Sequence, residues 1–122
     1  MKYPLILVLC LLLNLSCAQT QTPSSKPINN ITADELKNVV LLDVRTPEEY
    51  AQGHLENSLN INWFDADFAQ QVAGIDKDET IYVYCKVGGR SAKAQEKLKS
   101  LGYKNVVNLE GGYDAWSLKN PK

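Results

Sequence analysis

Two short runs, Val39 to Val44 (VVLLDV) and Thr80 to Tyr84 (TIYVY), constrain what this chain can fold into more than anything else in it. Both are rich in β-branched and aromatic residues. Neither shows the polar–apolar alternation of a strand with one face in water, so each reads as a strand buried on both faces. A sheet covered on both faces needs helices, and the neighbouring stretches supply them. Thr32-Ala33-Asp34-Glu35 has the pattern of a capping box and opens a short helix through Leu36. Pro47-Glu48-Glu49-Tyr50 starts another, with proline in the first turn and acids near the positive end of the helix dipole. Leu59-Asn60-Ile61 reads as a short strand and Phe64 to Val72 as a helix. Ser91 to Leu101 is an amphipathic helix with Ala94, Leu98 and Leu101 on one stripe, closed by Gly102. Val106 to Leu109 makes a last strand before Gly111-Gly112 and a helical turn around Trp116.

This alternation over residues 31–119 predicts one α/β domain with a central parallel sheet between helices. No internal repeat and no second domain is visible in the 122 residues. Ligands of such sheets sit beyond the carboxyl ends of the strands. That rule directs attention to the residues after Tyr84.

The N-terminus reads differently. Lys2 is followed by an apolar run from Leu5 to Leu13 that Asn14 interrupts. The run is shorter than the roughly 20 residues of a membrane-spanning helix and fits the core of an export signal, residues 1–17. Two processing routes fit its end. Ser16-Cys17-Ala18 suits an ordinary signal peptidase and would leave a soluble protein beginning at Gln19. Leu15-Ser16-Cys17 resembles a bacterial lipobox, although Leu13 stands one place earlier than usual, and would make Cys17 a lipid-bearing first residue. We carry the lipid anchor forward as the expectation, which implies an exported protein held at a membrane of the bacterial envelope and facing the periplasm. Residues 18–30 are polar and read as a flexible linker, with a reach of roughly 20 Å.

The formal net charge of −1 offers no basic surface for nucleic acid. Cys10, Cys17 and Cys85 include no CxxC pair and no zinc spacing, and His54 is the only histidine. No metal, cofactor or disulfide framework is therefore expected.

The chemistry is expected in Cys85-Lys86-Val87-Gly88-Gly89-Arg90-Ser91, between the TIYVY strand and the amphipathic helix. Adjacent glycines let a backbone turn tightly and aim successive N–H groups at one point, an anion cradle to which the helix N-terminus adds positive potential. A free thiol with a pKa of about 8.5 is only about 3% thiolate at pH 7. Such a cradle raises that fraction without a neighbouring base.

This segment resembles the active-site loop of the rhodanese family, C-x-x-G-x-R-S/A. Leu41-Leu42-Asp43-Val44-Arg45 with Glu48-Glu49-Tyr50 is similar to the family's L-D-V-R-x-x-x-E-Y segment. Gly53-His54-Leu55 with Asn60-Ile61 is similar to G-H-I-x-x-A-x-N-I, and Gly111 to Trp116 to G-G-x-x-x-W. The four matches occur in order and cover residues 31–117.

The resemblance implies a five-stranded parallel sheet flanked by helices on both faces. It implies a ping-pong cycle in which Cys85 takes a sulfane sulfur from a donor such as thiosulfate and becomes a persulfide. That sulfur then passes to cyanide, a small thiol or a protein acceptor. A persulfide is an anion that the same N–H cradle would hold. Lys86 and Arg90 are expected to attract the anionic donor, and Asp43 with Arg45 to form a supporting ion pair. His54 is expected to hydrogen-bond within the fold and Trp116 to pack in the core. Asn57-Ser58 departs from the Gly-Ala common in the family, and Trp63-Phe64, where exposed, would be a docking patch.

Alternative readings are an envelope persulfide or redox relay, a partner-binding rhodanese module, and a cysteine-dependent phosphatase or arsenate reductase. The phosphatases of similar fold use C-x5-R, whereas Cys85 to Arg90 is C-x4-R. The shorter loop suits one sulfur better than a tetrahedral oxyanion.

Overall fold

The computed structural model describes residues 23–122. Strand β1 (Ser25–Pro27) leads through a 3-10 turn (Ile28–Asn30) to helix α1 (Ala33–Leu36) and strand β2 (Val40–Asp43). Then come α2 (Pro47–Gln52), β3 (Leu59–Asn60), α3 (Phe68–Val72) and β4 (Thr80–Tyr84). The chain closes with α4 (Gly89–Ser100), β5 (Asn105–Glu110) and α5 (Gly112–Lys119). The strands form one sheet in the order β1-β5-β4-β2-β3, and every pairing is parallel.

Side chains alternate across this sheet, as the pleat requires. Leu42, Val44, Ile81, Val83, Cys85 and Val106 face one core, which Phe68, Val72, Ala94 and Leu98 of α3 and α4 complete. Leu41, Tyr84, Val107 and Leu109 face a second core under Ile28, Leu55 and the partly buried Leu36 and Trp116. Both faces are covered, which is why β2 and β4 carry continuous apolar runs. Cys85 continues the row of Ile81 and Val83, so its sulfur emerges on the side of α4.

Residues 25–30 correct the expected linker. Ser25, Lys26 and Pro27 pair with Asn108, Leu109 and Glu110, and Ile28 is buried at 1% exposure. This edge strand is held by backbone pairing and one apolar anchor, and an edge tolerates Pro27. A polar stretch with no apolar pattern gives no sign of that. The expected signal at residues 1–17, with Cys10 and Cys17, lies outside the described residues.

Smaller differences have local causes. Thr32 caps α1 by accepting the Glu35 N–H at 3.2 Å, but the Glu35 carboxylate turns to Lys26 (2.6 Å) and the Tyr82 hydroxyl (3.2 Å) instead of closing the box. The complete capping box stands at Thr46 and Glu49. The helix expected from Phe64 begins only at Phe68. Asn62 competes for the backbone there, its Oδ1 accepting the Phe64 N–H at 3.0 Å. Asn57 takes the position where glycine is common with φ 64°, a conformation asparagine tolerates. Ser58 fits the adjoining small site, donating to the Leu55 carbonyl at 2.7 Å and accepting from the Tyr84 hydroxyl at 3.2 Å.

Candidate active site

The carboxyl end of β4 delivers Cys85 to the top of the sheet, and α4 begins at Gly89, two residues earlier than the apolar stripe implies. Its N-terminus therefore abuts the sulfur. Gly88, with φ 121°, turns the chain between strand and helix and aims its own N–H at Cys85 Sγ over 3.0 Å. The Ser91 hydroxyl is 3.3 Å from the same sulfur and 3.0 Å from the Gly88 carbonyl. Gly89 lies in α4 without a positive φ and has open space where a Cβ would stand, so of the two only Gly88 needs the freedom of glycine.

Cys85 is 1% exposed. Burial pushes its thiol up. The Ser91 hydroxyl and the backbone N–H groups of Ser91, Gly88 and Val87 outweigh burial and bring it below its ordinary value. The Gly88 N–H and the Ser91 hydroxyl converge on one sulfur, and a helix of twelve residues points its N-terminus at them. This arrangement can hold a thiolate.

The surrounding charges are arranged in pairs. Arg90 meets Glu49 at the start of α2 through two parallel bonds of 2.7 and 3.0 Å. The exposed ring of Phe64 lies 5.5 Å from its guanidinium carbon. Arg90, aided by the Thr46 contacts, brings the Glu49 carboxyl down to about 2, against burial, which pushes it up. Lys86 is 2.6 Å from Asp114 in α5, with both groups about half exposed. Asp43 and Arg45 form a buried pair at 2.6 Å. Arg45 also donates to the Gly53 carbonyl at 2.8 Å and lies over the Tyr113 ring at 4.3 Å. A cleft of about 170 Å³ beside the loop is lined by Arg45, Glu49, Gln52, Lys86, Tyr113 and Asp114.

The loop is clamped from behind. Tyr113 and Asp114 donate their backbone N–H groups to the carbonyls of Cys85 and Lys86 at 2.8 and 3.0 Å. Gly112 makes this approach feasible: a Cβ there would stand 2.6 Å from the Cys85 oxygen and 2.5 Å from that of Lys86.

The model of the Rhodanese-like domain family matches residues 29–119. The chain belongs to this family. Among curated relatives, Protein HIGH ARSENIC CONTENT 1, mitochondrial, of Arabidopsis thaliana is 44% identical over 85 residues, 62% of this chain and 50% of that protein. Thiosulfate sulfurtransferase 16, chloroplastic, of the same plant is 38% identical over 86 residues, 62% of this chain and 72% of that protein. The chain thus spans half the length of the first. The rhodanese-related protein of Thermoplasma volcanium superposes with a TM-score of 0.69 at 31% identity, covering 80% of this chain and 93% of that one.

Within this rhodanese-like domain the expected loop residues do not act alike. Cys85, Gly88 and Ser91 come together around the sulfur. Val87 contributes its N–H while its side chain is 65% exposed. Lys86 and Arg90, expected to be available to a donor, are instead each held by a carboxylate. His54 stacks on Tyr50 at 3.7 Å with Nδ1 2.9 Å from the Tyr50 carbonyl oxygen, a contact within the fold. Trp63 is partly buried edge-on to Phe68, so Phe64 stands exposed without it.

Reading the sequence for the site missed two contributors, Glu49 and Gly112. Glu49 lies 41 residues before Arg90, and no spacing announces such a pair. The glycine pair before α5 was a usable signal, since two glycines at a helix start suggest close backbone approach.

Proposed function

We propose that this chain is a sulfurtransferase that moves a sulfane sulfur from a small anionic donor to a thiophilic acceptor through a persulfide on Cys85. The observation that supports it best is the convergence of the Gly88 N–H and the Ser91 hydroxyl on a cysteine at a helix N-terminus. Thiolate Sγ attacks the outer sulfur of the donor. The new S–S bond forms as the donor's own bond to that sulfur breaks, and the leaving group departs as an anion, sulfite in the case of thiosulfate. The charge that moves to the terminal sulfur stays beside the loop's N–H groups and the N-terminus of α4, which favour an anion there. Attack by cyanide or a thiol on the outer sulfur returns Cys85 to its thiolate.

The name of the relative thiosulfate sulfurtransferase 16 agrees with this reading. The relative named for arsenic content makes arsenate the second compound to test. Cys85→Ser is expected to abolish transfer from thiosulfate to cyanide while circular dichroism stays native. A folded variant that keeps its turnover contradicts the mechanism. Efficient arsenate or aryl-phosphate turnover dependent on Cys85 would replace sulfur transfer with the second reading.

We place the activity in the bacterial envelope, anchored through Cys17, on the apolar run Leu5 to Leu13 and the lipobox-like Leu15-Ser16-Cys17.

A further inference from the structure

We infer that Glu49 is a specificity-determining positioning residue: by holding Arg90 it cancels the loop's cation and favours sulfur donors with one negative charge over dianions. This rests on the proposed sulfur transfer and concerns which donors the site accepts.

Both cations of the loop are engaged. Arg90 gives both terminal nitrogens to Glu49, and Lys86 is bonded to Asp114. Just beyond the loop, Arg45 is occupied by Asp43 in a buried pair. Arg90 stands in the first turn of α4, the helix whose N-terminus abuts Cys85, and its partner Glu49 lines the cleft beside the loop, so its charge belongs to the reaction site. With the Glu49 carboxyl held at about 2, the cancellation persists from neutral pH into the acid range. The remaining attraction for an anion comes from backbone dipoles around one sulfur, which hold one charge and not three.

The donors differ in this respect. Attack of the Cys85 thiolate on thiosulfate brings three negative charges together and releases sulfite as a dianion. Attack on an alkyl thiosulfonate, R–SO2–S⁻, brings two together and releases a sulfinate. Attack on a protonated organic persulfide, R–S–S–H, brings one and releases R–S⁻. Each step transfers one sulfur to Sγ, and charge balances without an oxidant or reductant. The exposed side chains of Val87 in the loop and Phe64 against Arg90 are apolar, compatible with an organic group in place of a third oxyanion.

The test compares methanethiosulfonate with thiosulfate, which share sulfane chemistry and differ by a methyl group in place of a charged oxygen. Glu49→Gln keeps the cap, since glutamine serves in a capping box, while it frees the charge of Arg90. A unit charge about 6 Å away through a water-like dielectric raises affinity by about tenfold for a dianion and about threefold for a monoanion. The kcat/KM ratio of methanethiosulfonate to thiosulfate is therefore expected to be high in the wild type and to fall by about threefold in Glu49→Gln, thiosulfate gaining more than methanethiosulfonate. Thiosulfate turnover by the variant should also become salt-sensitive, an effect that a loss of packing does not produce. Asp114→Asn, which frees the more exposed Lys86, should lower the ratio less. A ratio unchanged in both variants, with persulfide still forming on Cys85, overturns this inference alone. A wild-type protein that forms no Cys85 persulfide from either donor overturns it together with the proposed function.

Discussion

Tyr113 donates its backbone N–H to the carbonyl of Cys85 across 2.8 Å, so the segment after β5 sets the position of the loop after β4. A side chain at Gly112 would collide with the two carbonyls that this segment holds. Gly112 also has φ 60°, where a side chain is strained whatever the space around it.

Gly112→Ala is therefore expected to lower stability by about 2–4 kcal/mol and to displace the cysteine loop. Urea denaturation reads the first effect, and loss of transfer activity in the protein that remains folded reads the second. Near-native stability and activity together would show that the clamp is not needed.

Ser91 is expected to tune the nucleophile. Its hydroxyl is the foremost of the contacts that lower the Cys85 pKa against burial. Ser91→Ala should move the midpoint of iodoacetamide alkylation to higher pH and slow alkylation at neutral pH. The hydroxyl also meets the Gly88 carbonyl, so stability should fall by about 1 kcal/mol. An unchanged alkylation profile would leave the backbone N–H groups as the sole source of the lowered pKa.

The pair of Glu49 with Arg90 has a defined acid signature. Glu49 falls from 4.5 to about 2 on folding. Because the folded value is the lower one, the stabilisation is fully present above about pH 5 and is lost as pH falls through 2. Side chains 20% and 27% exposed feel appreciable screening. The wild type should thus exceed Glu49→Gln by only about 1–2 kcal/mol at neutral pH. Chemical denaturation across acidic pH should show this gap closing, and a gap that persists at pH 2 would assign it to packing.

Much of this architecture was legible in the sequence because its cause is local. The runs at β2 and β4 have apolar residues on both faces, and the stripe Ala94, Leu98, Leu101 follows helical spacing. The anion cradle was readable for the same reason, with Cys85, Gly88 and Ser91 inside one strand–loop–helix turn. What escaped depends on pairing across distance. β1 is an edge strand whose partner Asn108 lies over eighty residues away and whose own side chains carry no pattern. The occupation of Arg90 by Glu49 and of Lys86 by Asp114 is likewise a product of topology, which brings the starts of α2 and α5 to the loop. Read alone, two cations beside a nucleophile suggest a site eager for dianions. Folded, they meet two carboxylates.

The Cys17 proposal predicts that cells expressing the full chain incorporate labelled palmitate into it and that Cys17→Ala removes the label. The variant should then appear in the soluble periplasmic fraction with sulfur transfer unchanged. A native protein that is unlabelled and begins at Gln19 would contradict the lipid anchor and leave the Cys85 chemistry untouched.

The most direct test of the central claim is the intact mass of the reduced protein after exposure to excess methanethiosulfonate or thiosulfate. The wild type should gain the mass of one sulfur atom, localised to Cys85 by peptide mapping and removed by cyanide with release of thiocyanate. Cys85→Ser should gain nothing. A wild-type protein with no sulfur adduct from either donor, or an equal adduct in Cys85→Ser, would contradict the account.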